Sequence, residues 1–466
     1  MREFCGVYGI YSFESDSLSK MVYYGLFALQ HRGQESAGIA IADGKIIKSH
    51  RGMGLCAVVF NEEILSSLNG GHIACGHVRY STTGSSTIEN AQPLIVDSKF
   101  GPVALSHNGN LVNSTDLMSE LSSEGYRFKG TTDSEIMAVL ISRSNEETIE
   151  KAIISMCKKV HGAYSLVIMT KDKLIAVRDP NGIRPLCMGK LGSSYVFSSE
   201  TAALDVIGAD FVRDIANGEM VVIDEEGIKS LTYAPRAKKA LCAFEFIYLA
   251  RPDSKLDGRT VYEARAIMGK YLAKENKVDA DIVIGVPDSG IAAAIGYSQE
   301  SKIPYAEGLI KNRYIGRTFI QPSQAIRDLG VKLKLNPIRD IVRGKKLIVI
   351  DDSIVRGTTS KQIVKILRDA GAREIHMRVS SPPIMNPCFY GIDTPSKAHL
   401  IASSTSVEGV RQFLEADSLA YLSIRNLVNS ISLPKNSLCL ACLNGNYPVE
   451  VPESLKNLNL VFDKNK

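Results

Sequence analysis

Two adjacent aspartates, Asp351 and Asp352, follow a short apolar run at residues 347–350. The run has the length and composition of a buried strand, so both carboxylates are predicted to lie at that strand's carboxyl end. Small and hydroxyl-bearing residues come next, and a helical pattern covers residues 360–370. Backbone amides and a helix N-terminus there would bind phosphate. Carboxylates beside phosphate-binding amides suit a phosphorylated ribose, whereas an isolated Asp-Asp pair is typical of an ordinary turn.

A second loop of similar size follows another predicted strand, at residues 282–286. It contains Asp288, Ser289 and Gly290, and a helix is predicted from Ile291 onwards. This loop by itself would be a plain β-to-α turn. Ligands of open α/β sheets bind at the carboxyl ends of the strands, so its combination with the aspartate pair favours a phosphate site.

The N-terminal part of the chain combines a cysteine with four polar blocks. Cys5 precedes a glycine and alternating apolar residues, which predict a first strand. The blocks occupy residues 30–38, 77–84, 107–111 and 130–135. Singly, each block could be a turn, and Asn108-Gly109 is a strong hairpin signal. In this order, the four blocks resemble the glutaminase domain of the N-terminal-nucleophile amidotransferases.

The aspartate-containing string at residues 347–359 resembles the phosphoribosylpyrophosphate (PRPP) loop of the type I phosphoribosyltransferases. A glutaminase followed by a PRPP site identifies the chain as similar to the glutamine PRPP amidotransferases, which open de novo purine synthesis. The resemblance covers residues 5–448. It implies a cysteine nucleophile, hydrolysis of glutamine, and transfer of ammonia through an internal channel to PRPP, giving 5-phosphoribosylamine.

The resemblance also implies residue roles. In the glutaminase site these are a nucleophile with two oxyanion-binding residues and two charged residues that hold glutamine: Cys5, Asn108, Gly109, Arg79 and Asp133. The PRPP-binding residues are Asp288, Ser289, Gly290, Lys311, Arg313, Asp351, Asp352, Ser353, Arg356, Gly357, Thr358 and Thr359. Mg²⁺ is expected at Ser289, Asp351 and Asp352, because it prefers oxygen ligands. Residues 311–324, with Lys311, Arg313 and Arg317, are expected to form a lid that excludes water.

Nine cysteines are scattered along the chain, unlike a compact disulfide framework. Cys56, Cys75, Cys157 and Cys187 are predicted to be small buried hydrophobic residues. The remaining thiols, Cys242, Cys388, Cys439 and Cys442, could bind a 4Fe–4S cluster or zinc, or stay free. Their local contexts match the cluster-bearing branch of the family, so a structural 4Fe–4S cluster is the favoured interpretation.

Composition excludes few functions. The 466 residues are 45% hydrophobic and carry a net charge of +5, without a dense basic run, so nucleic-acid binding is not expected. No apolar stretch is long enough to span a membrane, and the N-terminus lacks signal-peptide features. A cytoplasmic enzyme is predicted, and the family implies a homo-oligomer with nucleotide feedback inhibitors.

The predicted fold class is α/β and α+β. The family implies an N-terminal-nucleophile αββα sandwich at residues 5–235 and a type I phosphoribosyltransferase parallel sheet at residues 259–448, including a C-terminal cluster-binding segment. Residues 236–258 are the expected linker and 449–466 a tail. Residues 1–4 are the expected propeptide, because family nucleophiles use their own α-amine as the general base.

Two alternative functions are weighed against this interpretation. A different glutamine amidotransferase, such as a sugar isomerase or an asparagine synthetase, would not need the PRPP string, and the second half lacks an ATP-pyrophosphatase-type Ser-Gly-Gly loop. A PRPP-sensing regulator with a phosphoribosyltransferase fold would not need Cys5 and a glutamine pocket. Product formation by the purified protein distinguishes an enzyme from a sensor.

Overall fold

A computed structural model gives the fold and describes residues 5–13, 17–80, 85–235, 237–312, 335–392, 394, 396–434, 436–453 and 455. No helix in these ranges is long and apolar enough to cross a membrane.

The first half of the chain is rich in antiparallel strands. The strands are β1 Gly6–Tyr11, β2 Ser36–Ala42, β3 Ile47–Met53, β4 Ile73–Arg79, β5 Leu94–Ser98, β6 Gly101–Leu111, β7 Gly162–Met169, β8 Leu174–Arg178, β9 Cys187–Leu191, β10 Ser194–Ser198, β11 Asp210–Asp214, β12 Glu219–Asp224 and β13 Gly227–Thr232. The helices are α1 Leu18–Ala28, α2 Cys56–Val59, α3 Glu62–Leu68, α4 Ser114–Ser123, α5 Asp133–Ser142, α6 Ile149–Lys159 and α7 Ala202–Ile207, with a 3₁₀ turn at Ile88–Asn90.

These strands form two sheets, in the orders β11-β9-β10-β1-β4-β2-β3 and β13-β12-β8-β7-β6-β5. Side chains alternate between the two faces of each strand, and the central strands β1, β2, β4 and β7 are buried on both faces. In β1, Val7 and Tyr11 face the second sheet, whereas Tyr8 and Ile10 pack with the helices. Helices α4–α6 cover the outer face of the second sheet. The predicted αββα sandwich is therefore confirmed.

The second half contains a four-stranded parallel sheet, in which the strands Ile282–Gly285, Lys346–Asp351, Glu374–Val379 and Ser418–Tyr421 are neighbours in this order. The strands of this half of the chain are β14 Leu241–Cys242, β15 Lys255–Leu256, β16 Arg259–Thr260, β17 Ile282–Gly285, β18 Leu309–Lys311, β19 Leu335–Pro337, β20 Lys346–Asp351, β21 Glu374–Val379, β22 Ser418–Tyr421 and β23 Leu438–Cys439. Its helices are α8 Val261–Glu275, α9 Ile291–Ser301, α10 Arg339–Val342, α11 Thr358–Asp369, α12 Ile401–Ser404, α13 Val407–Leu414, α14 Ile424–Ile431 and α15 Ala441–Asn444, with a 3₁₀ turn at Lys397–His399.

Residues 237–258, within the expected linker, are not an exposed tether. They include β14 and a π-helical turn at Glu245–Leu249, and residues 240–247 are buried. β14 pairs in parallel with β23, close to the C-terminus. The segment packs in the same hydrophobic cluster as α8 and the C-terminal residues, so it joins both halves of the molecule.

The Asn108-Gly109 hairpin signal does not mark a turn. Both residues lie inside β6, where Asn108 pairs with Ser165 and Gly109 with Tyr164 of β7. Sheet pairing overrides the local turn preference here, and the glycine is still needed because its φ is +154°.

Candidate functional site

Cys5 lies at the start of β1, beside the end of β4. Its side chain is buried, and its Sγ lies 3.6 Å from the Tyr80 carbonyl oxygen. Burial raises the pKa of the Cys5 thiol, while the hydrogen bond to Tyr80 and the nearby Arg79 guanidinium lower it. Because the pKa is raised overall, the thiol needs a base before it can act as a nucleophile.

Arg79 and Asp133 both lie close enough to Cys5 for their charges to affect its pKa. Arg79 ends β4 and forms an ion pair with Glu35, with its Nη1 3.1 Å from Oε1. Asp133 begins α5 and accepts a hydrogen bond of 2.9 Å from the Leu111 amide. A cation and a carboxylate beside one thiol match the charges of an amino-acid head group.

Asn108 and Gly109 are fixed in β6 near these charged residues. Asn108 is 1% exposed, and its Nδ2 has no hydrogen-bond partner among the described residues. A buried amide donor is unfavourable unless something binds it, so Asn108 is available for a ligand. At Gly109 an added Cβ would lie 1.9 Å from the Ala163 carbonyl oxygen, and therefore no side chain fits.

The second site lies at the carboxyl edge of the parallel sheet. β17 and β20 are neighbours in parallel register, with Gly285 opposite Ile350. α9 begins immediately after Gly290, and α11 begins after Gly357, whose φ is +75°. Both helix N-termini are therefore at the edge where phosphate is expected. A Cβ at Gly290 would lie 2.4 Å from the Ile350 carbonyl oxygen, which explains the glycine at that position.

A cavity of about 360 Å³ lies at this edge. The predicted PRPP-binding residues among its lining are Ser289, Asp351, Asp352, Ser353, Arg356, Gly357, Thr358 and Thr359. Ser289 donates a hydrogen bond to Asp352 Oδ2 and so joins the two loops. The structure thus brings together the two loops that the sequence separates by more than sixty residues.

Asp351 and Asp352 are both 7% exposed, and neither forms an ion pair within the described part of the chain. Burial, together with the adjacent Asp352 carboxylate, raises the pKa of Asp351 well above its ordinary value. Burial also raises the pKa of Asp352, although hydrogen bonds from Ser289 and Ser353 oppose the shift. The Arg265 guanidinium lies close enough to lower the pKa of Asp352, but it forms no ion pair with either carboxylate, so a bound cation would stabilise the site further.

Asp288 and Lys311 lie in an adjoining cavity of about 290 Å³, which also contacts Ser289. Their side chains form an ion pair, with Lys311 Nζ 2.6 Å from Asp288 Oδ2. Arg313, Arg317 and the rest of the expected lid after Asn312 lie outside the described residues, as do residues 1–4.

Sequence reasoning assigned no role to several residues that line this second cavity. They include His31 and Arg32 from the first half and Tyr248, Arg251 and Arg265 from the second. Arg32 Nε donates a hydrogen bond of 3.2 Å to the Cys5 carbonyl oxygen. The cavity therefore lies between the two sites. Of these five residues, only His31 and Arg32 belong to a block that the sequence singled out, at residues 30–38.

The four candidate cluster cysteines come from segments that meet in space. The pairing of β14 with β23 places Cys242 opposite Cys439, and Met385 and Asn386 donate backbone hydrogen bonds to the Cys442 carbonyl oxygen. Burial raises the pKa of Cys442, and Cys242, Cys388 and Cys439 are close enough to contribute. All nine cysteines are free, and Cys56, Cys75, Cys157 and Cys187 are buried as predicted.

Within the described ranges, however, no three His, Cys, Asp or Glu side chains form a group that could hold a metal ion. Neither the predicted iron–sulfur cluster nor the predicted magnesium site is therefore confirmed.

Comparison with protein families agrees with the two sites. Residues 77–206 match a glutamine amidotransferase domain, and residues 259–381 match a phosphoribosyl transferase domain. A solved structure of glutamine PRPP amidotransferase from Bacillus subtilis, complexed with ADP and GMP, has a TM-score of 0.91 and 48% identity, covering 97% of this chain and 100% of that chain.

Curated relatives extend the similarity over the whole chain. The amidophosphoribosyltransferase of Synechococcus elongatus is 52% identical over 468 residues, covering 99% of this chain and 94% of the relative. That of Bacillus subtilis is 49% identical over 456 residues, covering 97% and 95%. The chain belongs to the amidophosphoribosyltransferase family.

Proposed function

We propose that this chain acts at the first committed step of de novo purine synthesis. Glutamine is hydrolysed at Cys5, and the ammonia displaces pyrophosphate from C1 of PRPP to give 5-phosphoribosylamine. The observation that carries this proposal is that one chain combines a buried cysteine near Arg79 and Asp133, a buried Asn108 amide with no partner among the described residues, and a cavity lined by two predicted phosphate loops.

In the glutamine half-reaction, the Cys5 thiolate attacks the carboxamide carbon. Asn108 Nδ2 and the Gly109 backbone amide stabilise the oxyanion that forms there. Arg79 binds the α-carboxylate and Asp133 the α-ammonium, each through opposite charge. The unpaired Asn108 amide supports its role, because the oxyanion would supply the missing acceptor.

The base for Cys5 is proposed to be its own α-amine, whose ordinary pKa of about 7.7–8.0 suits proton transfer near neutrality. This requires removal of residues 1–4, so that Cys5 becomes the N-terminus. The intact mass of the active enzyme should then lack these four residues. Full activity of protein that retains them would refute the amine as the base.

In the PRPP half-reaction, the amide groups at the starts of α9 and α11 bind phosphates, and Asp351 and Asp352 bind the ribose hydroxyls. The donor set at Ser289, Asp351 and Asp352 fits Mg²⁺, because these oxygens include two buried carboxylates and Mg²⁺ prefers oxygen ligands. Bound Mg²⁺ would neutralise charge on the leaving pyrophosphate. Lys311 and Arg313 are proposed to bind phosphate, and residues 311–324 to close over the site.

A 4Fe–4S cluster bound by Cys242, Cys388, Cys439 and Cys442 is proposed as a structural centre. Thiolates are the ligands that iron–sulfur clusters prefer, and four free thiols on three converging segments fit that donor set. When bound, the cluster would crosslink β14, the Cys388 segment and the C-terminal segment. Iron and sulfide analysis of anaerobically purified protein tests this proposal.

We also propose for this chain the domain boundaries given above, a homo-oligomer, inhibition by purine nucleotides and a cytoplasmic location. The complex of the B. subtilis structure with ADP and GMP supports nucleotide binding. Another similar structure, at a TM-score of 0.92, is described as the allosteric regulatory enzyme of purine biosynthesis. Sedimentation and inhibition assays test the assembly and the inhibitors.

The central experiment measures glutamate and phosphoribosylamine formed by the purified protein from glutamine, PRPP and Mg²⁺. The proposed enzyme forms both products, and it forms phosphoribosylamine from ammonia and PRPP without glutamine. A PRPP-sensing regulator would bind PRPP and form neither product.

A further inference from the structure

Four fully buried charged side chains lie between the glutamine site and the PRPP site. They are Arg32, Arg184, Glu200 and Glu245, each at most 2% exposed. Arg32 forms ion pairs with both glutamates, and its Nη2 lies 2.8 Å from Glu245 Oε1. Arg184 Nη1 lies 3.2 Å from the same Glu245 oxygen. The formal charges of the four side chains cancel. Removal of any one of them would leave a buried charge without its full set of partners, which is strongly destabilising.

Glu200 contacts both walls of the cavity between the sites. Its Oε1 accepts from Arg32 and lies 2.7 Å from His31 Nε2, and these two residues line the cavity from the glutaminase side. Its Oε2 accepts from the Arg251 amide at 2.9 Å and from Ser254 Oγ at 2.6 Å. Arg251 lines the same cavity from the other side.

This contact set also reaches the catalytic cysteine. Arg32 holds Glu200 through its Nη1 and the Cys5 carbonyl oxygen through its Nε. Glu200 thus links the Cys5 backbone, through Arg32, to residues 251–254, while Glu245 also holds Arg32. Both oxygens of the Glu200 carboxylate are fully used by donors, and the side chain is 0% exposed.

We propose that Glu200 is a positioning residue that holds the two walls of this cavity together, so that ammonia released at Cys5 reaches PRPP rather than solvent. The inference rests on the proposed function, since it concerns transfer between the two proposed sites. Ammonia is as small as water, so a modest separation of the walls is enough for it to escape.

Glu200→Gln tests this role. The carboxamide removes the negative charge and replaces one acceptor oxygen with an NH₂ donor, which faces the Arg32 guanidinium in one orientation and the Arg251 backbone N–H in the other. The measured quantity is phosphoribosylamine formed per glutamate released at saturating PRPP. The ratio should fall clearly below that of the unaltered enzyme. A merely structural role would lower both products in proportion, because fewer molecules fold, and would leave the ratio unchanged.

Ser254→Ala is the milder variant in case Glu200→Gln does not fold. It removes one hydrogen bond to Oε2 and keeps every charge of the network, so a smaller decrease of the ratio is expected. Ser194→Ala is the matched control, because Ser194 is also a buried serine and its Oγ bonds Ser12 Oγ at 3.2 Å, apart from this network. The control should keep the ratio of the unaltered enzyme.

Synthesis from free ammonia by the same preparations separates the two possible failures. If the unaltered chain forms no phosphoribosylamine from ammonia and PRPP, the proposed function is wrong and this inference falls with it. If that synthesis is normal and the ratio is unchanged in a folded Glu200→Gln or Ser254→Ala variant, the positioning role of Glu200 alone is overturned.

Discussion

Gly109→Ala should inactivate the glutamine site while leaving the PRPP site intact. Gly109 lies inside β6 with a φ of +154°, a conformation that residues with a Cβ rarely adopt. The added Cβ would lie 1.9 Å from the Ala163 carbonyl oxygen and 2.8 Å from His107 Nε2. Ala163 belongs to β7, the strand that pairs with β6, so the clash is with the sheet itself.

The size of the effect follows from these distances. Real Cβ atoms essentially never come within 3.0 Å of such atoms, so the backbone must move by about 1 Å at Gly109. The proposed oxyanion donors, Asn108 Nδ2 and the Gly109 amide, would move with it. Loss of one oxyanion donor lowers kcat by about 10²–10³-fold, or roughly 2.7–4 kcal/mol. Misplacement of both should give at least that loss.

The assay compares glutamine hydrolysis with ammonia-dependent phosphoribosylamine synthesis in the same preparation. The first rate should fall by about 10²-fold or more, and the second should stay near that of the unaltered enzyme. Gly208→Ala is the control, since Gly208 also has a positive φ, of +73°, but an added Cβ there meets nothing within 4 Å. A folded Gly109→Ala variant that keeps most of its glutaminase rate would refute the assignment.

The remaining predictions concern single side chains. Cys5→Ala should abolish glutamine-dependent synthesis and keep ammonia-dependent synthesis, because ammonia reaches the PRPP site from solution; product analysis with each nitrogen source checks this. Asp352→Asn should raise KM for PRPP and spare basal glutamine hydrolysis, since it removes one anion from the edge that Ser289 also lines; steady-state kinetics with each substrate would show it. Burial and the Asp257 charge raise the pKa of Asp214 from 3.8 to about 6, so the ionised group lowers stability as pH rises between these values. Asp214→Asn should therefore raise the free energy of unfolding near neutral pH by about 3 kcal/mol, measured by urea denaturation, and show little difference below pH 4. Cys442→Ser should lower bound iron more than Cys157→Ser, which alters a buried thiol of the first half; metal analysis would detect equal iron in both if the cluster assignment is wrong.

Much of the fold was predictable because the local patterns agree with the tertiary structure. A helix was predicted from Ile291 onwards and one is observed at Ile291–Ser301, and an apolar run at residues 347–350 became the strand Lys346–Asp351. Boundaries were less accurate. The helix predicted at residues 360–370 begins two residues earlier, at Thr358, directly after Gly357 with its φ of +75°.

The two sites differ from the region between them in how much the sequence could predict. Cys5, Asp133 and Asp352 each belong to a block whose residue types and spacing already indicate chemistry. Glu200 and Glu245 have no such context. Their function comes from partners far along the chain, with Arg32 separated by 168 residues from Glu200 and by 213 from Glu245.

That separation has a physical consequence for how the two half-reactions are linked. A buried ion pair is strongly destabilised when one partner is removed, so the network can form only when both halves of the molecule are correctly packed. Arg32 then contacts the Cys5 carbonyl oxygen in the same arrangement in which Glu200 holds the Arg251 amide. The geometry of Cys5, the proposed nucleophile, therefore depends on the packing of the second half of the chain as well as on β1. An isolated glutaminase half would lack Glu245 and Arg251, and would bury Arg32 with only part of its counter-charge.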